Sequence, residues 1–113
     1  WTEGLVRLCR YMRDNATFYR NALATTGPNS FPEYLYGYIR SIALTAVEST
    51  AGTPFDAEKW DFFIEFFAVA FVSFVVRWSN QGMKDDPAGF IQKIRQLYDG
   101  SVLAELKKAD QKN

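Results

Sequence analysis

The sequence predicts an all-α domain, a single bundle of five or six helices. Apolar residues recur at steps of three and four along most of the chain, and no stretch alternates with the period of two that a half-buried strand requires. Residues that start and stop helices punctuate the chain at intervals suited to a small bundle. The third observation is the run Trp60 to Trp78, WDFFIEFFAVAFVSFVVRW, in which only Glu65 and Ser73 are polar between Phe62 and Val76.

That run organises the rest. At helical spacing it carries one seam of Trp60, Ile64, Phe67, Phe71, Phe74 and Trp78 and another of Phe62, Phe66, Val69, Ser73 and Val76. A helix with one apolar stripe needs one packing partner; stripes on two sides need cover on both. A chain of 113 residues has few helices to provide that cover, so the pattern predicts a second copy. The run reads as too short, too aromatic and too interrupted for a bilayer span, which needs about 20 predominantly apolar residues, so no membrane is expected.

The first helix spans Thr2 to Asp14, with Trp1, Leu5, Leu8, Cys9 and Met12 on one face and Arg7, Arg10 and Arg13 on another, read as solvated. Asn15 caps a short second helix, NATFYRNALA, which offers Phe18, Tyr19, Ala22 and Leu23 to the core before the Thr25 to Asn29 loop. Ser30-Phe31-Pro32-Glu33 is a capping box. It opens a third helix running to about Thr50 with the stripe Phe31, Tyr34, Leu35, Tyr38, Ile42 and Ala46, beside a hydroxyl edge of Ser41, Thr45 and Ser49. Gly52 and Pro54 lead to Asp56, the expected N-cap of the long helix, which Gly82 stops. From Ala57 to Gln81 that helix would be about 37 Å long. Asp86 caps and Pro87 begins the next helix, whose stripe is Phe90, Ile91, Ile94, Leu97 and Tyr98 and which folds back antiparallel on the long one. Gly100 ends it, and Ser101 opens a last short helix with Val102, Leu103 and Leu106 inward.

Composition narrows the function. Thirteen basic residues balance thirteen acidic ones, which argues against the positive face of a free-standing nucleic-acid-binding domain. The single Cys9 closes no intramolecular disulfide and suits a reducing, cytoplasmic setting. With no histidine and one cysteine, the chain lacks a His-based triad and a structural zinc site, and no phosphate-cradling glycine loop occurs. No enzyme activity, cofactor or metal is expected. Ten Phe, six Tyr and three Trp are more large rings than one small bundle needs for close packing, which points to a cavity for a small apolar molecule.

The run FFAVAFVSFVVRWSNQGMKDDPAGFIQKI resembles the C-terminal region of TetR-family transcriptional regulators, in particular the type that regulates dihydroxyacetone-kinase operons. The shared features are the small-residue stretch Ala68 to Ser73, Trp78, the polar link Ser79 to Gly82, and Pro87. LCRYMRDNATFYRNAL is similar to the first two helices of that region through Tyr11, Asn15, Phe18 and Tyr19, so the resemblance covers about Leu5 to Tyr98. It implies an effector-binding and dimerisation domain whose two long C-terminal helices pair with those of a second copy in a four-helix interface. It also implies a DNA-binding helix-turn-helix upstream, consistent with a chain that opens on Trp1 inside a helical pattern. Where such regions often carry glycines, Val69, Ala70 and Ser73 here keep the paired helices further apart.

The expected function is therefore effector sensing and dimerisation in a TetR-like regulator, with DNA reached only through the missing N-terminal domain. The alternative is a free-standing helical interaction or carrier protein for a small apolar ligand. The expected homodimer face comprises Phe62, Phe66, Val69, Ala70, Ser73, Val76 and Arg77 with Ile91, Arg95 and Tyr98. The expected pocket lies between Phe63, Phe67 and Phe71 and the edge of Tyr34, Tyr38 and Thr45, closed by Cys9, Met12 and Phe18. With no charge on either stripe, the effector should be small, neutral and apolar or aromatic.

Overall fold

The computed structural model describes residues 1–51 and 57–100, which form five helices and no strand: α1 (Thr2–Asp14), α2 (Ala16–Ala24), α3 (Phe31–Ala51), α4 (Ala57–Asn80) and α5 (Pro87–Tyr98). The expected Gly52–Pro54 turn, the Asp56 cap and the short helix from Ser101 fall outside the described residues.

Helix α1 buries Leu5, Cys9 and Met12, one face at steps of four and three. Asn15 ends it and also stands at the N-cap of α2, as expected, with its carbonyl accepting the Tyr19 N–H at 3.1 Å, but its side chain makes no cap bond to α2. Its side-chain amide donates to the Tyr11 carbonyl at 2.9 Å, which also accepts the Asn15 backbone N–H at 3.2 Å. In α2 only Leu23 is fully buried. Phe18, expected inside, is 68% exposed, because the short helix turns a single edge towards the bundle.

One arm of the capping box is present. Ser30 Oγ accepts the Glu33 N–H at 3.4 Å, while the Ser30 N–H goes to the Gly27 carbonyl at 3.2 Å, so the Glu33 carboxylate is not needed there. Helix α3 buries Leu35, Ile39, Ala43 and Val47, a stripe rotated from the expected one. Tyr34 and Tyr38 are 69% and 43% exposed. Bonds to α4 accompany this rotation: Tyr36 donates to Glu65, and Arg40 reaches both Asp61 and Glu65. These pairings run α3 antiparallel to α4 and set its Leu35–Val47 edge into the core.

Helix α4 buries Trp60, Ile64, Ala68, Phe71, Val75 and Trp78. Phe67 is half-buried and Phe74 is 42% exposed, so Ala68 and Val75 take core places that the sequence reading gave to larger rings. The segment Trp60–Asn80 is 21 residues long with a hydropathy of 1.7, enough by length and composition to cross a membrane. Shortness therefore does not exclude a span; the core helix of a soluble bundle meets the same criterion. The inner face of α4 is covered by this chain's own helices, and its flank carries the ionic cluster with Arg40.

Helix α4 closes in a Schellman turn. The Met83 N–H reaches the Trp78 carbonyl at 2.9 Å and the Gly82 N–H the Ser79 carbonyl at 3.0 Å, with Met83 and Trp78 both buried. Gly82 has φ +89°, a conformation in which a side chain is strained, although a Cβ there would meet only the Lys84 side chain at ordinary contact distance. Gly82→Ala is therefore expected to cost about 1–2 kcal/mol, read as a lowered melting temperature with unchanged helical content.

In the link, the Trp78 indole N–H donates to the Asp85 carbonyl at 2.9 Å. Asp86 precedes Pro87 in extended geometry but makes no side-chain cap. Its carboxylate instead pairs with Arg10 and Arg13, each at 3.5 Å, tying α5 to α1. Ring contacts of Phe90 with Phe74 and Trp78 at one end, and of Tyr98 with Phe67 at the other, run α5 antiparallel to α4. Leu97, expected inside, is 72% exposed.

The molecule measures 50 × 30 × 17 Å. A short dimension of 17 Å accommodates two layers of helices with axes about 8–10 Å apart, too few to cover α4 on both sides.

Candidate functional site

Because α4 is covered on one side only, its other apolar seam faces outward. Phe62, Phe66 and Val69 are 72%, 66% and 47% exposed, and Ala70, Ser73 and Arg77 are exposed beside them. The Phe62 and Phe66 rings stack at 6.3 Å. Val76 is half-buried. Of the α5 residues expected on this face, only Arg95 is exposed. Ile91 is fully buried and Tyr98 is 7% exposed, so both belong to the core of their own chain. The apolar residues that α5 does present are Leu97 and, half-buried, Ile94. Their offset from Ile91 and Tyr98 follows from α5 packing its Ile91 edge against α1 rather than away from it.

The nine residues expected to share one pocket are dispersed. Phe63, Phe67 and Phe71 line a groove of about 270 Å³ between α4 and α5, with Phe66, Phe74 and Leu97 at its exposed rim. Thr45 lies elsewhere, in a groove of about 610 Å³ at the junction of Trp1, α3 and the end of α5. Cys9 and Met12 are fully buried in the main core, whereas Phe18, Tyr34 and Tyr38 are exposed. Tyr19 instead gathers the rings of Tyr11, Phe18 and Phe31 across α1, α2 and α3, and Phe31 meets Tyr34, with contacts of 5.0 to 6.2 Å.

The larger groove has two chemically different walls. On α3, Ser41, Thr45 and Ser49 alternate with Ile42 and Ala46; opposite stand Trp1, Tyr98, Arg95 and Asp99. Arg95 and Asp99 are paired at 3.7 Å. The Ser41 hydroxyl donates to the Tyr38 carbonyl and that of Thr45 to the Ser41 carbonyl, both at 3.1 Å. The hydroxyl edge was visible in the sequence. The charged pair opposite was not, because it depends on α5 reaching the far end of α3.

Trp1, Phe67 and Tyr98 meet as three edge-on rings, with centroids 5.8 to 6.1 Å apart. Tyr98 lines both grooves, so this ring cluster is the partition between them.

Three groups have shifted acidity. Burial pushes the Cys9 thiol from 9.0 up to about 12. A thiol in that state is neutral and unreactive. Cys9 is expected to resist alkylation in the folded protein and to react only on unfolding, measured as labelling with and without denaturant. Its contribution to stability is intact below pH 9 and falls as the pH rises from there towards 12. On the surface, the hydrogen bond to Glu65 chiefly raises the Tyr36 phenol, and the bond to Asp61 chiefly raises the Arg40 guanidinium. These groups fasten α3 to α4. Among the described residues no three His, Cys, Asp or Glu side chains gather as a metal site.

No curated protein and no solved structure gives a significant match to the chain. The family described as "Transcriptional regulator C-terminal region" matches residues 1–100. That match runs through all five helices, including the outward seam of α4 and both grooves. The chain therefore belongs to the TetR-family transcriptional-regulator C-terminal regions.

Proposed function

We propose that this domain is the dimer-forming and effector-sensing part of a TetR-like repressor or activator, working in the cytoplasm without catalysis and acting on DNA through a helix-turn-helix domain upstream. The observation that carries the reading is the outward seam of α4, in which Phe62, Phe66 and Val69 stand exposed on a helix whose opposite face is core. Leu97 at 72% exposure extends this surface onto α5. Stacked phenylalanines and a leucine in water are a poor surface for a monomer, and the family to which the chain belongs is regulatory.

The occupant of the seam is a second copy, joined through an isologous contact in which each α4 and α5 meets its counterpart. Ala70 and Ser73, small and exposed near the middle of α4, are where the paired helices approach most closely. A permanent interface of this kind buries about 2,000 Å² or more in total. Sedimentation at micromolar concentration tests the reading. A dimer is expected; a monomer that stays soluble overturns it.

An effector acts in this arrangement by preferring one spacing of the two DNA-reading heads over another, since a ligand with equal affinity for both shifts nothing however tightly it binds. Helix α1 is the element that would carry the shift upstream. In the full-length regulator, operator affinity measured with and without effector is expected to differ. Equal affinities would leave the domain a dimerisation scaffold.

A further inference from the structure

We propose that the groove bounded by Trp1, Ser41, Thr45, Arg95 and Tyr98 binds a flat, uncharged molecule of one or two rings that carries a hydrogen-bond donor on one edge. The inference rests on the regulator reading and gives the effector a place and a chemical class. At about 610 Å³ the groove lies within the range of about 300–1,000 Å³ usual for small-molecule sites. The groove between α4 and α5 holds about 270 Å³, and Phe66 and Leu97 at its rim belong to the face assigned to a second copy.

The ligand's chemistry follows from how the walls use their hydrogens. The hydroxyl hydrogens of Ser41 and Thr45 are committed to the carbonyls of Tyr38 and Ser41. What these two side chains offer the groove is lone pairs, so the ligand edge that faces them must donate. Ile42 and Ala46 between them, with the Trp1 and Tyr98 rings opposite, favour a flat apolar body over a sugar-like one. Arg95 and Asp99 neutralise each other, so the site has no net charge for an ion to answer. A ligand there rests against Tyr98, the ring shared with the groove behind it, and against Trp1 at the head of α1. It therefore touches both the partition towards the dimer face and the element that leads upstream.

Indole, with one ring N–H, and 1-methylindole, with the same ring system and a methyl group in place of the donor hydrogen, are the probes, titrated calorimetrically into the chain and into a Ser41→Ala/Thr45→Val double variant. Both positions are exposed, and circular dichroism confirms that the variant is folded. Indole is expected to bind the parent chain about tenfold more tightly than 1-methylindole, the worth of one hydrogen bond. In the variant that preference is expected to vanish, with the affinity for 1-methylindole unchanged. Absence of indole binding, equal affinities in the parent chain, or a preference that survives in the variant overturns the assignment. Sedimentation of the same samples reads the dimer independently: a dimer that ignores indole refutes the groove and leaves the regulator reading standing, whereas a monomer refutes that reading.

Discussion

A Phe66→Asp chain is expected to sediment as a monomer and to keep its helical content. Phe66 is 66% exposed in the single chain, so a carboxylate there stays in water and the fold loses little. In the dimer the same carboxylate would be buried among apolar side chains without a partner. An uncompensated buried charge costs about 3–5 kcal/mol, and a two-fold interface repeats the substitution in each copy. The dissociation constant is thus expected to rise by roughly four orders of magnitude or more. Sedimentation at several concentrations, with circular dichroism on the same samples, checks both halves of the expectation. A dimer of undiminished affinity would remove the α4 seam from the interface. A chain that unfolds would mean that Phe66 supports its own core, contrary to its exposure.

Trp78→Ala is expected to have the opposite signature, a loss of fold stability without any direct effect on the outer seam. Trp78 is 2% exposed, meets Phe90 at 5.3 Å and donates its indole N–H to the Asp85 carbonyl at 2.9 Å. It therefore holds together the end of α4, the link and the start of α5. Truncating a buried ring of this size costs about 3–5 kcal/mol, a large share of the 5–15 kcal/mol available to a typical domain. Trp78→Phe keeps a ring against Phe90 and loses the hydrogen bond, at a net cost of about 1 kcal/mol for the bond itself. Denaturant titration of both variants measures the difference. Equal and small losses would show that neither the ring nor the bond secures the α4–α5 corner.

The contrast between Phe66 and Trp78 shows how far local sequence could go. The bounds of the helices were legible because they rest on residues with local effects: Ser30 accepting an N–H in the first turn of α3, Gly82 adopting positive φ after α4, and Pro87 opening α5 where no N–H is required. The two-sided character of α4 was legible too, since a helix at 3.6 residues per turn places Trp60 and Trp78 on a different side from Phe62 and Phe66 whatever surrounds it.

Tertiary structure alone decided how each remaining helix is rotated. In α3 both Tyr34–Tyr38 and Ile39–Val47 are apolar edges at helical spacing, and their periodicities are indistinguishable. The inward edge is the one compatible with the Tyr36–Glu65 and Arg40–Asp61 pairings, which join residues 29 and 21 positions apart. In α5 the packing against α1 took Ile91 and Tyr98 inside and left Leu97 out. The same rotations separated Thr45 from Phe67 and placed Arg95 and Asp99 opposite the α3 hydroxyls. Periodicity states which residues of one helix share a face, but the orientation of that face is a balance of contacts with other helices, and those contacts join residues too distant in the chain for any local pattern to record.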